Sequence, residues 1–406
     1  MKCGLLGQKL GHSYSPQIHK LLADYDYNLF EKEPEDLENF LKYGDFHGLN
    51  VTIPYKKAVI PYLAALSPEA ARLGAVNTIV RRVDGSLMGH NTDYFGFRSM
   101  VEKSGPSPAG KKVLILGSGG ASNTAVAVME EMGARVIVIS RNGENHYGNL
   151  HLHRDASILV NTTPVGMYPN VGRSPVSLDE FPDLEGVLDV IYNPAKTQLL
   201  LDAEARGLTA MNGLWMLVAQ AKESAEWFTG NKLPDSRIGV IHRMLKTQME
   251  NIVLIGMPGC GKSSIGSLLA RKTGRLLVDA DKEIIKTAGK TIPEIFAEAG
   301  EAGFRALEMQ VLAELGKRSG LIIATGGGCV TQDRNYPLLH QNGTIFRLDR
   351  AIEALPTKGR PLSQKGKLEE MYRIRKPMYD RFADHTIDNN GDPEAAADAI
   401  IKILEG

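Results

Sequence analysis

Two glycine-rich loops, each set between an apolar strand-like run and a helical run, constrain this chain more than any other feature of its 406 residues. The first lies in KKVLILGSGGASNTAVAVME, from Lys111, and the second in NIVLIGMPGCGKSSIGSLLA, from Asn251. A strand that turns through bare backbone directly into a helix opens a βαβ unit. Parallel strands need a crossover of a dozen or more residues, so each loop commits its surroundings to a parallel sheet covered by helices. The rest of the chain alternates strand-like and helical patterns, without repeats or low-complexity tracts. The expected class is α/β, with parallel sheets throughout.

Composition narrows the ligands. Lys plus Arg equals Asp plus Glu at 47 each, so no net charge favours a nucleic acid or an anionic membrane, and neither is expected as a partner. An anionic ligand has to be held by local groups. Cys3, Cys260 and Cys329 lie far apart, have no metal-ligand spacing and fit a reduced, cytoplasmic compartment. The start, a short strand-like stretch from Cys3 to Leu6 followed by Gly7, does not read as a signal peptide. No apolar run approaches the roughly 18 residues of a membrane helix.

In the first loop Gly117, Gly119 and Gly120 follow Val113–Leu116. Glycine permits the tight turn and lets backbone N–H groups approach a pyrophosphate at the helix N-terminus. Ser122 stands where a third small residue is usual. A second strand, Val136–Ile139, ends in Ser140-Arg141-Asn142 rather than in an acid. An arginine there suits a 2′-phosphate, which points to NADP over NAD; the alternative is a solvated surface arginine.

Four further clusters surround this loop: GHSYSP (Gly11 to Pro16), NVTIPYK (Asn50 to Lys56), GHNTD (Gly89 to Asp93) and GLWMLVAQ (Gly213 to Gln220). Together, and in this order, they resemble shikimate dehydrogenase over about residues 1–245. The resemblance implies that Ser13 and Ser15 bind a substrate carboxylate, that Thr52, Asn77, Tyr192 and Gln220 contact the substrate, and that Lys56 and Asp93 form the catalytic pair. It also implies cofactor contacts from Gly117, Ser118, Gly119, Gly120, Ala121, Ser140, Arg141, Gly213 and Met216. The chemistry agrees: hydride delivery to a ring ketone builds negative charge on its oxygen, which a cationic Lys56 can stabilise and protonate. Two departures stand out. The helix usual between Arg141 and Ile158 is shortened to a polar stretch rich in His, Asn and Gly, and Gly143-Glu144-Asn145 offers no further base for a 2′-phosphate. His146, His151 and His153 in that stretch read as surface residues.

The second loop, Gly256-Met-Pro-Gly-Cys-Gly-Lys-Ser263, matches G-x-x-x-x-G-K-[ST] completely. Backbone N–H groups of Gly259, Cys260, Gly261 and their neighbours cradle phosphates, Lys262 supplies a point charge, and Ser263 and Ser264 follow, with the Ser263 hydroxyl suited to Mg2+. LLVDAD then places Asp279 and Asp281 two apart; on an extended segment they share a side, one suited to the metal and the other to an acceptor hydroxyl. The alternative is that they cap the next helix. EAGFRALE, with Arg305 and Glu308 one turn apart, IIATGGG ending in Gly326, Gly327 and Gly328, GRPL (Gly359 to Leu362) and RKPMY (Arg375 to Tyr379) complete the set. It resembles shikimate kinase over about residues 250–406. The resemblance implies shikimate binding by Asp281, Arg305, Arg375 and the 326–328 backbone, a metal role for Ser263 and Asp279, and catalysis by Lys262, Asp281 and Arg360. Between Arg350 and Arg360 the arginine usual for packing on adenine is missing, and Lys358 is a weaker substitute.

The expected layout is a two-lobed dehydrogenase followed by a P-loop small-molecule kinase domain. Residues 1–105 form a substrate lobe to which 213–245 returns, 106–212 a Rossmann-type NADP lobe, 246–250 a linker, and 251–406 the kinase. The resemblances imply NADPH-dependent reduction of 3-dehydroshikimate to shikimate, then ATP- and Mg2+-dependent phosphorylation of shikimate. A homo-oligomer is compatible with the sequence. The rival reading is a quinate/shikimate dehydrogenase fused to a diverged or regulatory P-loop domain.

Overall fold

The computed structural model describes residues 1–11, 13–355 and 365–405. These form two compact units: residues 1–166, 174–192 and 202–244 in one, and 167–173, 193–201 and 245–406 in the other. Within the region expected as one NADP lobe, 167–173 and 193–201 thus group with the second unit; there Lys196 N donates to Gln341 O at 2.8 Å and Ala195 N to Asn342 Oδ1 at 2.7 Å.

The first unit contains two sheets. One comprises β1 (Lys2–Gly7), β2 (Asp26–Glu31), β3 (Gly48–Val51), β4 (Ala65–Leu66), β5 (Thr78–Arg81) and β6 (Leu87–His90), in the order β2-β1-β3-β5-β6-β4. It is mixed rather than parallel: β5 runs antiparallel to β3 and to β6. The correction has a local cause. Only a short turn joins β5 to β6, closed by Arg82 N to Ser86 O at 2.8 Å with Gly85 at φ +82°, and so short a connection can only reverse the chain.

The other sheet is wholly parallel, with β7 (Lys112–Leu116), β8 (Arg135–Ile139), β9 (Ile158–Asn161), β10 (Gly186–Asp189) and β11 (Thr209–Met211) in the order β11-β10-β9-β7-β8. Val113 to Leu116 are fully buried, the apolar run of a strand covered on both faces. Strand order reverses at β7, and the first glycine loop leaves its C-terminal end, where ligands bind in open α/β sheets.

The helices Asp93–Ser104 and Leu214–Thr229 pack against each other in this unit. Gly96 allows the contact: a Cβ there would lie 2.8 Å from Met216 O and 2.9 Å from Gln220 Cβ. Between β8 and β9 the crossover contains only a 3-10 turn, Leu150–His153, as the shortened sequence requires. Its polar residues hold one another: Ser140 N donates to Asn145 O at 3.1 Å and His146 N to Asn149 Oδ1 at 2.8 Å. His153 is not a surface residue; it is buried, with Nε2 2.9 Å from Asn145 Oδ1.

The second unit holds one parallel sheet of β12 (Asn251–Ile255), β13 (Leu276–Asp279), β14 (Leu321–Ala324), β15 (Gly343–Asp349) and β16 (His385–Asp388), ordered β13-β14-β12-β15-β16. The strand before the phosphate loop is central, and Ile252 to Ile255 are fully buried. Residues 246–249, expected as linker, are the last turn of the helix Ser236–Met249, whose apolar Ile238, Ile241, Leu245 and Met249 recur at helical spacing and are buried. Among the described residues no helix is long and apolar enough to cross a membrane.

Candidate active sites

In the first unit the central contact joins Lys56 to Asp93. Lys56 lies on the short helix Tyr55–Ala58 that follows β3, and Asp93 opens the helix Asp93–Ser104, where the helix dipole favours a carboxylate. Lys56 Nζ stands 2.6 Å from Asp93 Oδ2, with about a third and a fifth of the two side chains exposed (34% and 19%). Both remain reachable from solvent.

Asn77 is buried next to this pair. Its Oδ1 accepts from Thr92 N at 2.7 Å and its Nδ2 donates to Thr92 Oγ1 at 3.0 Å. Gln220 is anchored by Nε2 to Leu217 O at 2.9 Å, with Oε1 3.5 Å from Thr92 Oγ1. Thr92 therefore links two of the expected substrate residues and directly precedes Asp93. Ser15 N donates to Ser13 Oγ at 3.2 Å, and Ser15 also lies beside the Tyr27 hydroxyl. Tyr192 meets Tyr14 edge-on at 6.2 Å. Thr52 continues from β3, its N donating to Leu6 O at 2.9 Å. Asn50, Thr78, Thr92 and Ser224, all buried and polar, escaped the sequence reading as site residues. Asn50 and Thr92 lie inside quoted motifs, but nothing local marks Ser224.

The first glycine loop fits a dinucleotide. Gly117 has φ +106°, and a Cβ there would meet Thr162 Oγ1 at 2.9 Å, so the turn demands glycine. Ser118, Gly119 and Gly120 are exposed, a Cβ on Gly119 or Gly120 would meet nothing within 4 Å, and the helix Gly120–Glu131 has no acid in its first turn. Ala121 is half-buried, while Ser122 is buried and takes the packing role of the third small residue. Exposed Arg141 follows Ser140 at the end of β8, with half-buried Tyr147 near enough to feel its charge. Gly213 precedes the helix bearing Met216 and packs so tightly that a Cβ would collide with Val190 O.

In the second unit the phosphate loop carries Gly256, Gly259 and Gly261 at φ +142°, +85° and +104°, values that L side chains avoid. Lys262 Nζ donates to Gly256 O at 2.8 Å and Met257 O at 3.1 Å. The Cys260 side chain is buried, so only its backbone is free to meet phosphate. Asn389 secures the loop from behind, Nδ2 donating to Cys260 O at 2.7 Å. A cavity of about 660 Å3 opens over the loop, lined by Lys262, Ser263, Ser264, Asp281, Gly327 and Arg350 among others.

Asp279 and Asp281 do not share an extended segment: β13 ends at Asp279 and Asp281 lies in the first turn of the helix Ala280–Ala288. Asp279 caps that helix, accepting from Asp281 N at 3.1 Å and Lys282 N at 3.3 Å. Its other oxygen accepts from Ser263 Oγ at 3.3 Å, so capping leaves that oxygen on the phosphate-loop side. Burial pushes the Asp281 carboxyl above its usual range, and the Asp279 charge adds to this, against the pull of Lys262 and Arg305.

The three glycines bring the remaining groups together. A Cβ on Gly326 would lie 2.7 Å from Asp281 Oδ1, and one on Gly328 would collide with the Arg305 guanidinium. Arg305 pairs with Glu308 at 2.7 Å, and burial holds the Glu308 carboxyl above its usual range. Arg375 Nη1 and the Tyr379 hydroxyl both donate to Gly327 O, at 3.1 and 2.5 Å. Asp281, Arg305, Arg375 and the 326–328 backbone thus converge, as expected. Arg360, Lys358 and the GRPL segment lie outside the described residues. Two residues named in the sequence without a site role join the site: Glu308, and Arg350 just after β15, whose Nε is buried without a hydrogen-bond partner among the described residues.

Known proteins resemble both units. The family model for the shikimate dehydrogenase substrate binding domain matches residues 5–79, and the shikimate kinase family model matches residues 258–405. The shikimate dehydrogenase (NADP(+)) of Clostridium perfringens is 38% identical over 266 residues, covering 60% of this chain and 97% of the relative. Among solved structures, shikimate dehydrogenase 1 of Peptoclostridium difficile is 41% identical, with a TM-score of 0.55, over 60% of this chain and 97% of the other. A chorismate mutase/shikimate 5-dehydrogenase fusion protein from Clostridium acetobutylicum is 36% identical, with a TM-score of 0.58, over the same shares, 60% and 97%.

Proposed function

The chain belongs to the shikimate dehydrogenase family and carries a shikimate kinase domain after it, and we infer that it performs two consecutive steps, reducing 3-dehydroshikimate to shikimate and phosphorylating shikimate to shikimate 3-phosphate. The observation that carries this reading is the coexistence, in one chain, of the Lys56–Asp93 pair and a phosphate loop whose cavity contains Asp281.

For the first step, the exposed backbone of 118–120 and Arg141 hold the dinucleotide, which supplies a hydride when bound. Lys56 meets the negative charge that grows on the ketone oxygen and gives it a proton. Asp93 holds the ammonium in place and shares the ring hydroxyls with Asn77, Thr52, Tyr192 and Gln220. Ser13 and Ser15 take the carboxylate.

For the second step, ATP would supply the phosphoryl group, and Ser263, with Asp279 behind it, would hold a Mg2+ that offsets its charge. Arg305 and Arg375 grip the shikimate carboxylate through paired hydrogen bonds. Asp281 accepts the proton of the attacking hydroxyl; its raised affinity for protons suits that task. Lys262 and Arg360 stabilise the transferring group. The oxygen that Lys56 protonates is then the oxygen that Asp281 deprotonates. The buried thiols of Cys3, Cys260 and Cys329 are in keeping with a reducing cytoplasm.

Paired variants test the reading. Lys56→Ala abolishes reduction and spares phosphorylation of supplied shikimate, and Lys262→Ala does the reverse. Loss of both activities in either variant contradicts it.

A further inference from the structure

We propose that Ser224 is a positioning residue of the dehydrogenase site, fixing the amide of Asn77 so that it presents one N–H donor to a substrate oxygen. The proposal rests on the dehydrogenase reading above and concerns a residue that no motif marks.

Ser224 is fully buried on the helix Leu214–Thr229, one turn beyond Gln220. Four polar groups crowd its hydroxyl: Gln220 O at 2.9 Å, Asn50 Nδ2 at 2.8 Å, Thr78 Oγ1 at 2.9 Å and Thr92 Oγ1 at 2.9 Å. Of these, Gln220 O can only accept and Asn50 Nδ2 can only donate. The Ser224 proton lies toward Gln220 O and its oxygen receives from Asn50, which leaves one lone pair for a threonine hydroxyl.

The neighbouring groups then have fixed directions. Tyr27 donates to Asn50 Oδ1 at 2.8 Å, which sets the Asn50 amide with Nδ2 toward Ser224 and toward Thr78 Oγ1 at 3.2 Å. Thr92 N, an obligate donor, sets Asn77 Oδ1 at 2.7 Å, and Thr78 Oγ1 adds a second donor to the same oxygen at 3.2 Å. Asn77 Nδ2 donates one hydrogen to Thr92 Oγ1 at 3.0 Å. Thr92 is then free to send its own proton onward, and Ser224 Oγ, at 2.9 Å, is the nearest acceptor, ahead of Thr78 Oγ1 at 3.2 Å. One Asn77 Nδ2 hydrogen is left over, and both lone-pair directions of Asn77 Oδ1 are used. Asn77 can meet substrate as a donor only.

Without the Ser224 oxygen, the Thr92 proton turns toward Thr78 Oγ1, Asn77 Oδ1 or Gln220 Oε1, at 3.2, 3.2 and 3.5 Å. Asn50 Nδ2 and the Thr78 hydroxyl also lose a partner inside a buried cluster, and the Asn77 amide, still oriented by Thr92 N, loses the ordered Thr92 hydroxyl that anchors its Nδ2.

The test is steady-state kinetics of Ser224→Ala, Asn77→Ala and the double variant, with shikimate and NADP+, alongside thermal midpoints. Ser224→Ala is expected to raise KM for shikimate about tenfold, the worth of one well-placed hydrogen bond, with kcat and the KM for NADP+ changed far less. In the Asn77→Ala background the same change should add almost nothing, because the effect passes through Asn77. Thr78→Val, which removes the hydroxyl that donates to Asn77 Oδ1, should move KM in the same direction. A lowered midpoint with unchanged KM, or an equal effect with and without Asn77, overturns the proposal. Failure of the unaltered enzyme to oxidise shikimate would overturn the dehydrogenase reading instead.

Discussion

Lys56 Nζ and Asp93 Oδ2 lie 2.6 Å apart although they come from different elements on either side of β5 and β6. Backbone bonds hold the two elements in register: Val76 N donates to Lys56 O at 2.8 Å, and Asn77 N to His90 O at 3.1 Å. The pair is thus built by the sheet rather than by flexible side chains finding each other. If Lys56 is the proton donor, Lys56→Met should lower kcat for reduction by about 10^2- to 10^4-fold, the usual worth of a positioned acid. Asp93→Asn should cost less, and neither should disturb the kinase. Stopped assays of both reactions on each variant check this.

Arg141 stands directly after Ser140 at the end of β8, in a crossover that has no α-helix. Removing it should raise KM for NADPH about 10- to 100-fold, as expected for one charge-assisted hydrogen bond. KM for NADH should barely move. Parallel titrations of Arg141→Ala with both nucleotides measure the ratio, and equal losses would remove the 2′-phosphate from its role.

Arg350 lines the phosphate-loop cavity, and its Nε has no hydrogen-bond partner among the described residues. A guanidinium beside Lys262 and Gly261 is suited to the anionic nucleotide. Arg350→Ala is expected to raise KM for ATP about tenfold while leaving KM for shikimate within twofold. A selective effect on shikimate would assign the residue to the other substrate.

Glu223 links burial to pH. Its Oε2 is buried without a hydrogen-bond partner among the described residues, and burial, helped by Glu226, pushes the carboxyl up to about 7. The unfolded chain releases that proton near its usual value of about 4.3. Between these values the folded state holds a proton that the unfolded state has lost, so this residue's contribution to stability falls as pH rises and is fully lost above about 7. Glu223→Gln should match the unaltered protein at pH 4 and exceed it at pH 8. Buried His90 and His19, held down to about 4 and about 3, titrate alike in both proteins and drop out of the difference. Chemical denaturation at the two pH values reads the result; a constant difference would contradict it.

Both glycine loops were legible because bare backbone at fixed spacing has few other uses, and their flanking runs of four or five apolar residues could only be buried strands. The convergence of Asp281, Arg305, Arg375 and Gly326–Gly328 was foreseen from the resemblance, while the local geometry followed the alternative of a helix cap rather than a shared extended segment: Asp279 caps the next helix, which moves Asp281 off the strand. The antiparallel β5–β6 pair was missed because the expectation of crossovers overrode the Val83-Asp84-Gly85-Ser86 turn. Ser224 was illegible for a deeper reason. Its partner Asn50 is 174 positions away, and in sequence it is one polar residue in a helix that already contains Lys222, Glu223 and Glu226. Only the packed arrangement reveals that it is buried and shared.

The central claim is that one chain carries both reactions. The direct measurement supplies the purified protein with 3-dehydroshikimate, NADPH and ATP–Mg2+, and follows NADPH loss and shikimate 3-phosphate together. The account predicts NADPH consumption followed by phosphorylated product, with shikimate accumulating only when ATP is withheld. Shikimate accumulating in the presence of ATP, or no NADPH loss at all, would contradict it.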